Sequence, residues 1–360
     1  MAKRKPKIED ESLDAFLTRI HGKGIIAPAA QALAPRSREV LSTPLSLDIA
    51  LSGGIPDGTI CLITGKPKSG KTTLCLELLR NAQLANRPTF YINIEKRCTP
   101  ALLSTIKGLD PAKLQVVPHQ IDKPLTAEDY LNIIERISKT QKKAVVVIDS
   151  IAALSTMTEQ EADIGSNKDM AGPAKLLSAF FRRAQQIVDT QDVILIFISQ
   201  MMTNREPRGP KWMEKGGIAI QYACSVWLKV TWTKQWDKNE ETNAPDGHDM
   251  HITVQSSALG RPLLPCTLPL RYGIGIDTVR DIVTTAENLG LIEKAGAWYS
   301  VPMFAGKGDP PKFQGLARLS NFLTDNPDKL KRLETEIRDI VLPQAETNEK
   351  ETKKKGKKNE

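Results

Sequence analysis

The fold of this chain is decided by the stretch Gly65-Lys66-Pro67-Lys68-Ser69-Gly70-Lys71-Thr72, which fits the pattern G-x-x-x-x-G-K-[ST]. The apolar segment 59–64 before it predicts a buried strand, and the segment 73–79 after it predicts a helix. A strand, a glycine loop and a helix in this order are the context of a phosphate-binding loop. The sequence therefore predicts that the chain binds a nucleoside triphosphate. The alternative is a glycine-containing turn that fits the pattern by chance.

Each part of this loop has a chemical task. The glycines let backbone N–H groups surround anionic oxygens, and the N-terminus of the following helix adds a partial positive charge. Lys71 is predicted to contact the β- and γ-phosphates, and the Thr72 hydroxyl is predicted to hold Mg²⁺. We therefore expect ATP and Mg²⁺ as cofactors, bound by Gly65, Lys66, Pro67, Lys68, Ser69, Gly70, Lys71, Thr72 and Thr73.

The composition predicts a cytosolic protein. A chain of 360 residues, 40% of them hydrophobic, suggests about two domains. No apolar run approaches the roughly 18 residues of a membrane-spanning helix, so we expect no membrane partner. The five cysteines lie mostly in apolar segments and are interpreted as reduced core residues. The four histidines have no metal-ligand spacing, which argues against a structural metal site.

Part of the net charge of +8 lies in the C-terminal tail. Its segment 351–358 carries five lysines and no apolar residue. Such a composition predicts a solvated, disordered tail. A lysine run of this kind adds a salt-sensitive attraction to polyanions, so we expect the tail to contact nucleic acid.

A short amphipathic helix is predicted near the start of the chain. Segment 10–20 places four apolar residues on one helix face, namely Leu13, Phe16, Leu17 and Ile20. A Pro- and Ala-rich stretch follows, so this face packs either on its own domain or on a neighbouring subunit. The predicted parts of the chain are an N-terminal helix and linker at 1–40, a core at 41–275, a C-terminal domain at 276–343 and a basic tail at 344–360.

The middle of the chain alternates strand-like and helical segments. Continuous apolar runs, which predict buried strands, occur at 60–64, 89–94, 144–149 and 193–199. Helical patterns lie between them, notably at 127–140 and 172–190. This alternation is typical of an α/β protein with a mainly parallel central sheet that is covered on both faces.

The pattern changes toward the C-terminus. Strand-like segments at 223–231, 251–256 and 265–272 predict antiparallel strands, with a hairpin loop in the polar insert 234–249. A small α+β C-terminal domain is expected after them. Its last helix is predicted to begin at Pro327, with Asn326 as its cap. The apolar stripe of this helix consists of Leu330, Leu333, Ile337 and Ile340.

Three polar side chains follow predicted strands and suit triphosphate chemistry, namely Glu95, Asp149 and Gln200. Ligands of an open α/β sheet bind beyond the carboxyl ends of its strands. Asp149 is predicted to hold Mg²⁺ with Thr72, and Glu95 is predicted to orient or deprotonate the attacking water. Gln200 is predicted to read the γ-phosphate, so Lys71, Glu95 and Gln200 are the catalytic candidates. The alternatives are an ordinary turn residue at Asp149 and a surface acid at Glu95.

The loop 201–215 combines cations with an aromatic ring. Its candidate DNA-binding residues are Arg205, Arg208, Lys211, Trp212 and Lys215, and Gly216 and Gly217 close it. Cations can track the phosphates of a single strand, and an aromatic side chain can stack on a base. The alternative is a mobile surface loop with incidental charge. The position directly after Gln200 favours the DNA-binding interpretation.

These segments together resemble the RecA family of homologous-recombination ATPases, which includes the UvsX-type recombinases of bacteriophages. The resemblance extends over nearly the whole chain and is most specific at 42–51, 147–150, 196–200, 216–217 and 291–300. It implies a RecA-type ATPase core and a helical filament on single-stranded DNA, with ATP bound between subunits. The filament would pair that strand with homologous duplex DNA, in a bacterial cell or a phage-infected host, with single-strand-binding and loader proteins as further partners.

The resemblance also implies roles for individual positions. Lys71, Thr72 and Asp149 correspond to ligands of the nucleotide and Mg²⁺. Glu95 corresponds to the hydrolytic glutamate, and Gln200 to the γ-phosphate sensor. The further correspondences are two DNA-binding loops at 157–169 and 201–215, an aromatic at Tyr272 that packs on the adenine bound to the adjoining subunit, and an N-terminal helix that docks on the neighbour.

The chain departs from the family pattern in several places. The family's cross-subunit lysine pair falls on Ser256 and Ala258, so hydrolysis should be slow unless the nearby Arg261 acts across the interface. Leu102 replaces the second adenine-flanking aromatic residue. The first DNA loop is acidic, and the tail is basic where bacterial RecA ends acidic. These departures favour a divergent, viral recombinase.

Two other functions remain open from the sequence. One is a ring-forming RecA-fold motor, such as a helicase or a RadA-like branch-migration enzyme. The absence of a helicase domain and the N-terminal docking helix argue against it. The other is a DNA-binding paralogue that regulates filaments and hydrolyses ATP poorly, which Ser256 and Ala258 favour.

Overall fold

The computed structural model of the protein describes residues 12–22, 26–29, 38–119, 124–163, 172–203, 212–214, 218–236, 243–306 and 308–342. The chain divides into two units, Met1–Arg38 and Glu39–Glu360. In the first unit, helix α1 spans Leu13–His21. It begins after Ser12, whose hydroxyl accepts a hydrogen bond from the Ala15 N–H at 3.3 Å. The predicted helix at 10–20 is therefore found, although residues 10 and 11 lie outside the described residues.

The second unit has one large central sheet and two small sheets within its described residues. Its strands are β1 (Val40–Leu41), β2 (Ile55–Pro56), β3 (Thr59–Gly65), β4 (Thr89–Asn93), β5 (Leu114–Val117), β6 (Val145–Asp149), β7 (Ile194–Thr203), β8 (Trp212–Glu214), β9 (Val226–Gln235), β10 (Gly247–Ser256), β11 (Leu264–Arg271), β12 (Gly275–Ile276), β13 (Glu293–Ala295), β14 (Trp298–Ser300) and β15 (Lys312–Gln314). The central sheet has the order β12-β11-β10-β9-β3-β7-β6-β4-β5, and β8 pairs with β7. Strands from β9 to β5 in this order pair in parallel, and those from β9 to β12 pair antiparallel. The predicted α/β class with a mainly parallel sheet is confirmed.

Helices cover both faces of this sheet, and further helices form the C-terminal part of the unit. They are α2 (Leu45–Leu51), α3 (Lys71–Leu84), α4 (Pro100–Ser104), α5 (Ala127–Thr140), α6 (Met157–Glu161), α7 (Gly172–Gln191), α8 (Ile218–Ala223), α9 (Thr278–Asn288), α10 (Leu316–Asp325) and α11 (Pro327–Val341), with 3₁₀ turns at Ile151–Ala153 and Pro302–Phe304. The bounds of α5 and the start of α7 agree with the predicted helices. Short elements such as α4, β5 and β13 were not predicted, because three to five residues carry too little periodicity to indicate one structure.

The side chains of β3 show why the strands read as continuous apolar runs. Cys61 and Ile63 pack in one hydrophobic core with residues of α3. Ile60 and Leu62 pack in a second core with residues of α5 and α7. Because successive strand residues point to opposite faces, burial on both faces removes the polar alternation that a half-exposed strand would show.

The C-terminal helices surround a third core. Its members from these helices include Ile282, Val283, Leu319, Leu323, Leu333 and Ile337. The predicted stripe of α11 is right for Leu333 and Ile337 but wrong for Ile340, which is 54% exposed near the end of the helix. Asn326 takes the predicted cap position of α11, directly before Pro327, and its backbone carbonyl accepts hydrogen bonds from the Lys329 and Leu330 N–H groups. Its side chain makes no cap hydrogen bond, because its amide donates at 2.8 Å to the carbonyl of Phe322 in α10.

Helix α2 joins the core to these C-terminal helices. Arg338 of α11 donates to Asp48 at 2.7 Å, and the other carboxylate oxygen of Asp48 accepts from the Thr43 N–H at 2.7 Å. Asp281 of α9 accepts a hydrogen bond from the Ser46 N–H at 3.3 Å, in the first turn of α2. Burial raises the pKa of Asp281 to about 6. Two buried carboxylates therefore fix α2 between the sheet and the C-terminal helices.

Candidate nucleotide-binding site

The phosphate-binding loop connects the end of β3 to the start of α3. A Cβ on Gly65 would lie 2.2 Å from the carbonyl oxygen of Val230, and a Cβ on Gly70 would lie 2.7 Å from Leu270 Cδ1. Gly70 also has a φ of +88°, in the left-handed region that favours glycine. No side chain caps α3 at Gly70. The backbone N–H groups at this helix N-terminus are thus arranged as an anion site.

Lys71 lies inside the loop. Its Nζ donates hydrogen bonds to the carbonyl oxygens of Gly65 at 3.0 Å and Lys66 at 2.7 Å. Burial, together with the positive charge of Arg97, lowers the pKa of Lys71 to about 8. A triphosphate brings negative charge to this amine and therefore favours its protonated form.

Thr72 and Asp149 are brought together at the first turn of α3. The Thr72 hydroxyl donates to Asp149 Oδ2 at 2.8 Å, and the buried Tyr91 hydroxyl donates to the same oxygen at 2.6 Å. Burial raises the pKa of Asp149, and the hydrogen bonds from Tyr91 and Thr72 oppose that rise. The sequence predicted the pair of Thr72 and Asp149 but not the contribution of Tyr91.

The donor set fits ATP with Mg²⁺. A hydroxyl and a carboxylate in contact are hard oxygen ligands of the kind that Mg²⁺ prefers. Ser69 Oγ is buried and has no hydrogen-bond partner in the described part of the chain, which leaves it available to a phosphate oxygen. The cleft has a volume of about 240 Å³ and is lined by Pro67, Lys68, Ser69, Gly70, Lys71, Thr72, Thr73, Arg97, Asp149, Ile198, Gln200, His248, Leu270 and Tyr272.

Glu95 lies at the edge of this cleft among three donors. Ser150 Oγ donates to Glu95 Oε1, and Arg97 Nε donates to Glu95 Oε2 at 2.6 Å. Gln200 Nε2 lies 2.8 Å from Oε1 and 3.0 Å from Oε2. Burial raises the pKa of Glu95, but the hydrogen bonds from Ser150, Arg97 and Gln200 outweigh it, so the pKa lies below its ordinary value. The carboxylate is therefore ionised at neutral pH.

The sheet order explains why these residues meet. Strands β3, β7, β6 and β4 are neighbours, and parallel pairing places Gly65 beside Gln200 and Asn93 beside Asp149. The carboxyl ends of all four strands consequently meet at one edge. One detail differs from the prediction. Gln200 does not end its strand, because β7 continues to Thr203 and pairs there with β8.

The other end of the cleft contains aromatic residues. Tyr272 lines the cleft of its own chain, where its hydroxyl lies 3.1 Å from His248 Nδ1. We expected Tyr272 to act on the nucleotide of an adjoining subunit. Tyr272 lies in the cleft of its own chain because β10 and β11 pack beside the phosphate loop, where side-chain atoms of Leu270 and Met250 lie 2.7 and 3.0 Å from the position of a Cβ on Gly70.

Two polar residues of the cleft lining, Arg97 and His248, were not predicted from the sequence. Arg97 belongs to neither nucleotide-binding motif, although its separation of two residues from Glu95 is compatible with the ion pair that the structure shows. His248 is buried, its Nε2 has no partner within the described ranges, and burial lowers the pKa of its ring. No sequence pattern indicates His248, because β10 reaches the loop only through the tertiary fold.

Most predicted DNA-binding residues lie outside the described residues. These are Arg205, Arg208, Lys211, Lys215, Gly216 and Gly217, together with the tail at 344–360 and part of the first loop at 157–169. The backbone of Trp212 forms part of β8, where Trp212 is paired with Thr203 of β7. None of these predictions is tested by the fold.

The positions that depart from the family pattern lie within the described residues. Arg261 is exposed in the connection between β10 and β11, outside the cleft of its own chain. Ser256 donates a hydrogen bond at 3.3 Å to the carbonyl of Ser225. Leu102 packs against the first hydrophobic core instead of lining the cleft.

The described residues meet neither the requirements of a metal-binding cluster nor those of a membrane-spanning helix. Among them, no cluster of three or more His, Cys, Asp or Glu side chains is arranged to bind a metal ion by itself. No helix in the same ranges has the length and apolar character needed to cross a bilayer.

Family comparisons agree with this site. The family model described as the RecA N-terminal domain matches residues 10–277, and the RecA C-terminal domain matches residues 280–342. This chain belongs to the RecA family. Protein RecA of Aquifex pyrophilus is 30% identical over 349 residues, which cover 94% of this chain and 95% of that relative. Protein RecA of Ruminococcus albus is 28% identical over 358 residues, which cover 97% of this chain and 85% of the relative.

A solved structure also shares the fold of this RecA-family chain. The crystal structure of the RadB recombinase aligns with a TM-score of 0.50 and 21% identity. The alignment covers 66% of this chain and 98% of that chain. At this identity the likeness concerns the fold alone.

Proposed function

We propose that this RecA-family chain is a DNA-dependent ATPase and recombinase. It forms a helical filament on single-stranded DNA and pairs that strand with homologous duplex DNA. The observation that carries the proposal is the contact of Gln200 Nε2 with both oxygens of Glu95, at 2.8 and 3.0 Å. Gln200 belongs to β7, which leads directly into the segment with Arg205 and Arg208. A change at the γ-phosphate is thereby linked through one strand to the predicted DNA-binding loop.

Each residue of the cleft has a separate role in ATP hydrolysis. The loop backbone and Lys71 bind the phosphates, and Thr72 and Asp149 would hold Mg²⁺, which neutralises charge on the phosphate oxygens when bound. Glu95 orients the attacking water and accepts its proton, for which its ionised state is required. Tyr272 provides an aromatic contact for the base.

The remaining partners follow from the same proposal. Arg261, exposed in its connection, would act on the nucleotide of a neighbouring subunit in the filament. Helix α1 exposes Leu13 and Ile20, and it would dock on the neighbouring subunit. The basic tail would add affinity for DNA, and single-strand-binding and loader proteins would act on the filament in the cytoplasm of a bacterial cell or a phage-infected host.

The first experiment measures ATP hydrolysis with and without single-stranded DNA. Stimulation by DNA is expected. Lys71→Ala should abolish hydrolysis, and Glu95→Gln should stop turnover while ATP and DNA still bind. Lys107→Ala removes an exposed lysine outside the cleft and should behave as wild type. If DNA does not stimulate hydrolysis, the chain is a regulatory paralogue, the alternative that Ser256 and Ala258 favour.

Two further measurements test the assembly and the DNA path. Negative-stain images with DNA and a non-hydrolysable ATP analogue should show filaments, whereas rings would indicate a motor. Charge reversal at Arg205 and Arg208 should weaken DNA binding and reduce the slope of log affinity against log salt. An unchanged slope would place the DNA elsewhere.

A further inference from the structure

Arg97 lies in the nucleotide cleft although it belongs to neither nucleotide-binding motif. Its side chain is 44% exposed, and its Nε donates to Glu95 at 2.6 Å. The same cleft is lined by Lys71, Thr72 and Gln200. The described part of the chain offers no further hydrogen-bond acceptor to the guanidinium group. Its terminal nitrogens are thus available to a ligand in the cleft.

The hydrogen bonds of Glu95 restrict what its carboxylate can do. One oxygen accepts from Ser150 and Gln200, and the other accepts from Gln200 and Arg97. An ionised carboxylate has about four acceptor sites, so these contacts occupy all of them. A general base must be within hydrogen-bond reach of the proton it takes. At least one donor must therefore turn away before Glu95 can accept a proton from water.

Arg97 is the donor best suited to leave. Ser150 is fully buried directly after β6, and the backbone of Gln200 is fixed by the pairing of β7 with β3. Arg97 lies on the turn after β4 and has the most exposed of the three side chains. A guanidinium group binds phosphate oxygens in a bidentate manner that a single carboxylate oxygen does not match.

We propose that Arg97 is a catalytic residue that acts within its own chain. It pairs with Glu95 before the triphosphate binds and moves onto the γ-phosphoryl oxygens of bound ATP, which frees Glu95 for the attacking water. This inference rests on the proposed ATPase function and adds a residue to it. One movement supplies a cation at the developing charge and releases the general base.

The proposed step is the attack of water on the γ-phosphorus of ATP. The water oxygen bonds to the γ-phosphorus while the bond from that phosphorus to the bridging oxygen breaks. The electron pair leaves with ADP, the water proton passes to Glu95, and Arg97 stabilises the charge on the transferred group. When phosphate leaves, Glu95 releases the proton to solvent water, and Arg97 returns to the ionised carboxylate.

The test compares Arg97→Ala, Arg97→Lys and the control Lys96→Asn. Lys96 is exposed, lies outside the cleft and has a φ of +56°, which asparagine tolerates. Arg97→Ala should lower kcat by about 10²- to 10³-fold, somewhat less than arginine fingers that act from a partner chain. Its affinity for ADP should stay near that of wild type, which also shows that the variant is folded. Arg97→Lys should retain part of the activity, and Lys96→Asn all of it.

A second measurement does not depend on turnover. The ratio of affinities for a non-hydrolysable ATP analogue and for ADP should fall about tenfold in Arg97→Ala, because only the triphosphate offers the γ-phosphoryl contact. An unchanged ratio, or an Arg97→Ala variant that hydrolyses ATP as fast as wild type or faster, overturns the inference and leaves the recombinase proposal intact. If wild type itself shows no DNA-stimulated hydrolysis, the proposed function fails, and the affinity ratio still decides the role of Arg97.

Discussion

The substitution Tyr91→Phe removes one hydroxyl group from the base of the nucleotide cleft and leaves the ring in place. This hydroxyl is buried and donates to Asp149 Oδ2 at 2.6 Å. Burial already raises the pKa of Asp149, and the Tyr91 hydrogen bond is the largest opposing effect. A hydrogen bond to a charged group contributes about 1.5–3 kcal/mol. Because the lost hydrogen bond favours the ionised carboxylate, Tyr91→Phe should raise the pKa of Asp149 further.

The assay is urea denaturation of the whole chain over a range of pH. At pH values above the raised pKa of Asp149, Tyr91→Phe should lower the free energy of unfolding by about 1.5–3 kcal/mol. The loss should shrink as the pH falls through the raised pKa, because the protonated carboxyl no longer needs a donor to offset its charge. The matched control is Tyr130→Phe. The Tyr130 hydroxyl is buried and has no hydrogen-bond partner among the described residues, so its removal should leave the free energy of unfolding unchanged or raise it.

Two results would refute this reasoning about Asp149. Equal losses in Tyr91→Phe and Tyr130→Phe would mean that the hydroxyl contributes packing alone. A loss for Tyr91→Phe that is constant with pH would mean that Asp149 is not the group it stabilises. Mg²⁺ affinity in the presence of ADP gives an independent check, since it should weaken in Tyr91→Phe and not in Tyr130→Phe.

Three further predictions concern two buried carboxylates and the phosphate-binding loop. The pKa of Asp281, about 6, lies above its ordinary value, so the unfolding free energy of wild type should fall as pH rises between about 4 and 6. Asp281→Asn should remove that fall and stabilise the protein by about 3 kcal/mol at pH 8, as measured in urea. Arg338→Met leaves Asp48 buried without its cation and should cost about 3–5 kcal/mol, of which Asp48→Asn in the same chain should restore a part. Gly70→Ala places a Cβ in a left-handed conformation and against Leu270, and it should weaken ADP binding in a calorimetric titration while costing at least about 1–2 kcal/mol.

The sequence determined the phosphate loop and the strands beside it. The glycine pattern before Lys71 has a conformational cause that is local, since the loop needs a left-handed residue at Gly70. Apolar runs with no polar alternation likewise required strands covered on both faces. Glu95, Asp149 and Gln200 could be named because each lies in or directly after such a run, and because ligands of parallel sheets gather at one edge.

What the sequence could not determine depends on contacts between distant segments. Tyr91 and Asp149 are 58 residues apart and meet because β4 pairs with β6. The position of Tyr272 in the cleft of its own chain follows from the packing of β11 against the phosphate loop, and no local pattern distinguishes that from a position across a subunit interface. Asn326 takes the cap position that the sequence predicts, but the partner of its side-chain amide is a carbonyl of the preceding helix, which no local pattern indicates.

The local sequence therefore determines which residues can bind phosphate. The tertiary structure determines which side chains donate hydrogen bonds to the Glu95 carboxylate. Hydrogen-bond saturation of Glu95 by Ser150, Gln200 and Arg97 is a property of three chain segments that meet at the sheet edge. The physical reason is the difference in sequence separation over which the two kinds of interaction act. A backbone conformation is set within a few residues, whereas the hydrogen bonds and pKa of a buried side chain are set by whatever the fold places within about 3 Å of it.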